Sequence, residues 1–174
     1  MKYRRLLAPG GCYFFTLTTA NKNSQLLTQH IDTLRASFSY VKQRHPFVIE
    51  AMVVMPNHLH SLWTLPQDDH NYSMRWNLIK GHFSRALKPT EQISPSRYKK
   101  SERGIWQRRF WEHLIRDEKD FEQHINYIHY NPVKHGFTAS AAAWPYSSIH
   151  RYIRQGLLDA DWAGGENVMG SFGE

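Results

Sequence analysis

Two histidines one residue apart, His58 and His60, follow an apolar run that ends at Met55-Pro56-Asn57. On an extended strand, residues two apart project to one face and the residue between them to the other. The two imidazoles then stand side by side while Leu59 anchors the strand in a core. Neutral imidazoles at that spacing can share one divalent metal ion. The pair alone has low specificity, because 11 histidines in 174 residues generate roughly one such spacing by chance. A second group adds weight. Tyr127 and Asn131 are four apart, hence neighbours on one face of a helix. At 100° per residue that face is turned roughly 110–140° from the apolar stripe Phe121, Ile125 and Ile128, where a purely structural tyrosine more often sits.

Together these residues have the parts needed to cleave a phosphodiester. A metal held by His58, His60 and the amide oxygen of Asn131 can grip the scissile phosphate. Tyr127 can attack phosphorus in line, leaving a 5′-phosphotyrosine and a 3′-hydroxyl. A phenol with an ordinary pKa of about 10 must lose its proton as it attacks. The covalent bond conserves the energy of the phosphodiester, so a 3′-hydroxyl can reverse the step without ATP. Nitrogen ligands suit Mn²⁺ better than Mg²⁺ by softness, and Mg²⁺ is the more abundant ion; either is open.

These groups need a scaffold. Tyr13 to Thr19 is aromatic and β-branched and reads as a buried strand after the turn signal Gly10-Gly11. Apolar residues Ile31, Leu34, Phe38 and Val41 predict a helix over 28–44, ended by His45-Pro46. Phe47 to Val54 and His58 to Leu65 predict a hairpin of two strands. Trp76, Ile79, Phe83 and Leu87 predict a second helix over 72–87. Lys88 to Arg103 reads as a mobile loop. A fourth strand lies within 106–115. A third helix begins at Asp117-Glu118 and runs to about Asn131, where Pro132 and Gly136 are expected to stop it. The order β-α-β-β-α-β-α is that of an α+β, ferredoxin-like sandwich with a central antiparallel sheet and one added helix. The first and third strands are then central, which sets the histidines mid-sheet. One domain over 1–162 and a flexible tail over 163–174 are expected.

Composition narrows the partners. Apolar residues at 41% and aromatics at 14% argue for a folded globular chain. No apolar run is long enough to span a membrane. One cysteine, Cys12, excludes an internal disulfide and a cysteine-based zinc site. The net charge of +7 favours a polyanion. Eleven Lys and Arg between Arg75 and Arg116 face only Glu91, Glu102 and Glu112, so that segment carries +8. Interleaved Trp76, Phe83, Tyr98, Trp106, Phe110 and Trp111 point to a groove that neutralises phosphates and stacks bases.

His58-Leu59-His60 resembles the His-hydrophobic-His signature of the HUH nucleases that act on single-stranded DNA. Tyr127 with Asn131 resembles the Tyr-x-x-x-Gln arrangement of IS200/IS605-type single-tyrosine transposases, with Asn in place of Gln. Four strings are similar to the REP-associated tyrosine transposases, relatives that act on repetitive extragenic palindromes. They are Val54 to His60, Ile105 to His113, Tyr127 to Gly136 and Trp144-Pro145-Tyr146-Ser147-Ser148. The resemblance covers most of the chain, in consistent order. It implies a bacterial enzyme of the cytoplasm and nucleoid, monomeric or homodimeric, that nicks and rejoins DNA beside a hairpin with a short single-stranded tag. Candidate DNA contacts are Arg4, Arg5, Lys80, Arg85, Arg108, Arg109 and Trp106. Phosphate contacts of this kind position DNA but do not read it.

Three rival readings use the same residues. The chain could be a hairpin-binding regulator with a vestigial site. It could be a rolling-circle initiator or relaxase, for which it is small. It could be a metallohydrolase using water, in which Tyr127 would be dispensable.

Overall fold

Alternating apolar side chains along two central strands bury both faces of one sheet, and helices cover each face. The computed structural model describes residues 7–164. In chain order the elements are β1 (Cys12–Thr18), α1 (Leu26–Gln29), α2 (Ile31–Arg44), β2 (Val48–Val54), β3 (His58–Thr64), α3 (Tyr72–Ala86), α4 (Pro95–Tyr98), β4 (Trp111–Leu114), α5 (Glu118–Lys134) and α6 (Ile149–Arg154). The strand order is β2-β3-β1-β4, antiparallel throughout. β1 and β3 are central, as the sequence predicts for this α+β fold.

The period of two sorts β1 and β3 between two cores. Tyr13, Phe15, Leu17, Leu59 and Trp63 pack in one cluster with Leu34, Phe38, Trp76, Ile79 and Phe83 of α2 and α3. The Trp63 and Trp76 rings stack with centroids 4.0 Å apart. Phe14, Ala51, Val53 and Leu62 pack on the opposite face with Ile125, Tyr127 and Ile128 of α5. The added helix therefore makes a third layer, and the even-numbered residues of β1 and β3 face it.

Several boundaries differ from those read in sequence. The helix expected over 28–44 breaks at His30 into α1 and α2. The first turn is tied to the hairpin instead, through Leu27 N–H donating to Pro56 O at 3.2 Å. The loop over 88–103 contains the single turn α4. β4 begins only at Trp111. Pro132 does not stop α5, which continues to Lys134. Proline forfeits one intrahelical hydrogen bond, and here it falls in the last turn, where that loss is the only one. The end is set by Gly136 at φ +72. Gly136 N–H donates to Val133 O at 2.9 Å and Phe137 N–H to Pro132 O at 2.9 Å, a Schellman cap.

β2 is an edge strand, and the C-terminal segment covers it. Val54 N–H donates to Tyr146 O and Ser148 N–H to Met52 O, at 2.9 and 2.8 Å. Trp144 Nε1–H donates to Val54 O at 3.0 Å. This occupies ladder positions that would otherwise invite another chain. His129 of α5 bonds Ser148 Oγ at 2.8 Å. Burial, with Arg151 and His150 nearby, holds His129 down at about 3, so it is a neutral structural ring.

Asp120 joins α5 to β4. Its Oδ2 accepts from Arg116 Nε–H at 3.0 Å and Arg116 N–H at 3.1 Å, and bonds His113 Nε2 at 2.8 Å. Burial works to raise this carboxyl, but the bonds from Arg116 and His113 outweigh it and hold the pKa at about 2. The folded value lies below the unfolded one of about 3.9. The contribution to stability is therefore present above about pH 4 and lost as pH falls through about 2. Asp120→Asn is expected to cost on the order of 2 kcal/mol at neutral pH and to flatten the acid limb of stability. Urea denaturation from pH 2 to 7 measures both; an unchanged acid limb contradicts the assignment.

Candidate active site

β1 and β3 pair so that Thr16 lies opposite His60 and Thr18 opposite His58. Both histidines are on the face that meets α5. His60 is wholly buried, and His58 is 8% exposed at the strand end. The two ring centroids are 5.1 Å apart.

Each ring is held by its Nδ1. His58 Nδ1–H donates to Asn57 Oδ1 at 2.7 Å. The Asn57 amide is itself fixed, since its Nδ2–H donates to Lys22 O. Its oxygen can only accept, so the His58 proton sits on Nδ1 and the lone pair on Nε2. His60 Nδ1 bonds Thr16 Oγ1 at 2.9 Å. Imidazoles braced at one nitrogen and presenting the other are the donor set a divalent ion takes. The two imidazoles fit such an ion. Thr16 and Asn57 are braces that sequence reasoning missed. Strand alternation puts Thr16 on the right face, but its partner follows from register alone.

α5 brings the phenol. Tyr127 is wholly buried, and its ring centroid lies 5.2 Å from that of His60 and 6.0 Å from that of Phe14. Asn131, one turn on, is wholly buried on the same face. Lys134, a further three residues on, donates from Nζ to Tyr127 Oη at 3.3 Å. Tyr130 is half-buried on another face beside Trp162, at 6.4 Å between centroids, and does not join the group. Cys12 offers no competing nucleophile, because burial pushes its thiol up to about 11.

A cavity of about 300 Å³ opens beside His58, lined by Thr16, Thr18, Lys22, Asn57, His135 and Phe137. His135 is 5.2 Å from His58 between ring centroids. His135 follows directly on Lys134, at the end of α5, and so reaches the site.

The expected DNA contacts divide. Arg4 and Arg5 lie outside the described residues. Arg85 and Arg109 are exposed. Arg108 donates to Glu102 at 2.8 Å and to Ser96. Lys80 is part-buried and donates to Gln107 O at 3.4 Å; burial pushes its pKa down. Trp106 is a correction. It is 7% exposed and packs in the core, its ring 5.6 Å from Phe83, so it offers no face to a base. Arg75 is likewise structural: it is buried, pairs with Asp69 at 2.7 Å, and donates to His45 O and Pro46 O. Arg103 is spent on Glu91 and the carbonyls that end α3. Charge counting could not separate these internal cations from surface ones.

His113, Asp120 and His124 also carry metal-ligand chemistry, with ligand atoms within 4.8 Å of one another. The Asp120 carboxylate is already bonded to Arg116 and His113, and His124 Nδ1–H donates to Asp120 O at 2.7 Å. The Arg116 guanidinium supplies the positive charge that an ion would. We assign this group to the β4–α5 junction.

Residues 11–131 match the family model described as "Transposase IS200 like". A relative from Haemophilus influenzae is 42% identical over 167 residues, 95% of each chain. The REP-associated tyrosine transposase of Escherichia coli is 44% identical over 163 residues, covering 94% of this chain and 91% of its own. A solved structure of a REP-associated tyrosine transposase bound to a REP hairpin is similar with TM-score 0.87 and 43% identity, over 100% of this chain and 97% of that one.

Proposed function

The chain belongs to the IS200-like transposase family, among its REP-associated tyrosine transposases, and from that premise we propose that it nicks and rejoins single-stranded DNA beside a hairpin through a 5′-phosphotyrosine at Tyr127. The observation that carries this reading is the contact between the Tyr127 ring on α5 and the His60 ring on β3. A helix-borne phenol and a mid-sheet imidazole pair meet across one layer. The hairpin substrate comes from the related structure at 43% identity, whose protein is bound to a REP hairpin. Its place of action is then the bacterial cytoplasm and nucleoid.

Tyr127 Oη attacks phosphorus in line with the departing 3′-oxygen. The Oη–P bond forms as the P–O3′ bond breaks, the phenolic proton passes to solvent, and the 3′-oxygen takes one up. Rejoining runs the same path backwards, with the phenol oxygen leaving. His58 Nε2, His60 Nε2 and the Asn131 amide oxygen would hold a divalent ion, Mn²⁺ or Mg²⁺, whose chemistry when bound is stabilisation of charge on the phosphate oxygens. The Asn57 bond fixes the tautomer of His58, and the Thr16 bond orients the His60 ring. Burial of Tyr127 under Phe14 restricts its rotamers, so little orientation entropy is lost when DNA arrives. Exposed Arg85 and Arg109 are the proposed phosphate contacts.

End-labelled hairpin DNA with a single-stranded flank, incubated with protein and Mn²⁺ and run on a denaturing gel, tests the reading. A protein-linked band supports it. Binding without cleavage in Mn²⁺ or Mg²⁺ favours the hairpin-binding regulator. The braces make a separate prediction. Thr16→Val keeps shape but removes the bond to His60, and is expected to weaken Mn²⁺ binding about 10- to 100-fold. Calorimetric titration reads this directly; unchanged affinity removes Thr16 from the site.

A further inference from the structure

We propose that Lys134 is a catalytic residue that stabilises negative charge on the Tyr127 oxygen during both cleavage and rejoining. The inference rests on Tyr127 being the nucleophile. Lys134 is seven residues after Tyr127, and seven steps of 100° return to within about 20° of the same face. Asn131 lies between them on that face. The side chain runs back along the helix, so that Nζ stands 4.8 Å from the Tyr127 ring centroid and 3.3 Å from Oη. That separation is at the long end of the hydrogen-bond range, as is common before substrate tightens a site.

A lysine in the last turn of a helix has a simpler use. Its charge complements the carbonyl end of the helix dipole, and the side chain can extend into solvent. Here the ammonium instead donates to the Tyr127 hydroxyl. The chemistry gives it work at two moments. As Oη attacks, its proton leaves and negative charge grows on oxygen until the bond to phosphorus forms. As a 3′-hydroxyl attacks the phosphotyrosine, the Oη–P bond breaks and oxygen departs carrying the bonding pair. In both, the Nζ–H···O bond gains a negatively charged acceptor and shortens, so it is stronger in the transition state than in the resting site. Lys134 stays an ammonium throughout. The phenolic proton goes to solvent in cleavage and returns from it after rejoining, while the 3′-oxygen gains and loses a proton in turn.

A lysine that only gripped DNA would change affinity and leave the chemical step alone. A lysine that only packed the helix would be replaced adequately by methionine, which matches its stem. The experiment uses the full chain, an end-labelled hairpin with a single-stranded flank, and Mn²⁺. It measures the dissociation constant without metal and the single-turnover rate of the covalent adduct with it. Lys134→Met is expected to slow adduct formation about 10²-fold, the cost of one preorganised donor to a developing oxyanion. Its dissociation constant stays within about threefold of the parent, since rate and affinity report different contacts. Lys134→Arg, which keeps a donor and a charge, recovers the rate to within about tenfold. An adduct rate unchanged in Lys134→Met overturns the proposal, as does a loss of affinity equal to the loss of rate. Tyr127→Phe run beside it separates the two layers. If that variant still forms adduct, the choice of nucleophile fails. If it forms none while Lys134→Met is unimpaired, only the role of Lys134 fails.

Discussion

Tyr127→Phe is expected to form no covalent DNA adduct and to lower strand cleavage by at least about 10³-fold, the scale on which enzymes lose rate with their nucleophile. The substitution removes one oxygen and little else. The ring remains in contact with His60 and Phe14, so packing of α5 on the sheet is kept. The bond from Lys134 is lost, which bears on stability by only about 1 kcal/mol. Tyr130 cannot stand in, because it projects from another face of α5 toward Trp162. DNA affinity is expected to be unchanged, since phosphate contacts elsewhere supply it. A filter-binding assay and a denaturing gel on one preparation therefore give opposite answers for binding and cleavage. A hydrolase using water predicts the reverse: Tyr127→Phe would cleave normally and leave no protein-linked strand in either protein.

The second large effect concerns the imidazole pair. His60→Ala and His58→Ala are each expected to lower Mn²⁺-dependent cleavage by about 10²- to 10³-fold, with no recovery at higher Mn²⁺. His60 is wholly buried between Phe14 and Tyr127, so its truncation also leaves a cavity. His58, 8% exposed at the strand end, is the gentler change. A binding readout separates metal loss from unfolding. Mn²⁺ at about 100 times its dissociation constant should stabilise the parent by about 2.7 kcal/mol through mass action. Neither variant should gain it. Variants that keep the Mn²⁺-induced rise in Tm, or cleave at the parent rate, would remove the pair from the metal site.

Much of this site was legible in one dimension, because its parts lie on regular elements. A period of two puts His58 and His60 on one face and Leu59 on the other, and the sheet bears this out. A period of 3.6 puts Tyr127 and Asn131 on one face of α5, and Lys134 joins them because the helix continues past Pro132. What alternation cannot say is which residue stands across the ladder. Thr16 braces His60 only because β1 and β3 pair in that register. Asn57 ends the apolar run before the histidines, yet its amide faces His58 because Lys22 O anchors it.

The basic segment shows the same limit. Arg75, Arg97 and Arg103 count equally with Arg85 and Arg109 in a sum of charges. In the fold, Arg75 is buried against Asp69, Arg97 donates to Trp106 O, and Arg103 ties Glu91 to the end of α3. Trp106 reads as a stacking surface beside so many cations, but its side chain completes the core against Phe83. Pro132 reads as a stop, but in the last turn it costs one bond that the cap at Gly136 makes tolerable.

By itself, then, the chain's pattern of polar and apolar residues determined the order of the four strands and the three long helices, the two faces of the central strands and the face of α5 that bears the phenol. Periodicity is local, and local backbone geometry carries it. Only the tertiary structure decided that α5 lies on the histidine face, that the Tyr127 ring meets His60, and which cations are held inside. Those outcomes depend on strand register and layer packing, where residues far apart in sequence compete for the same neighbours.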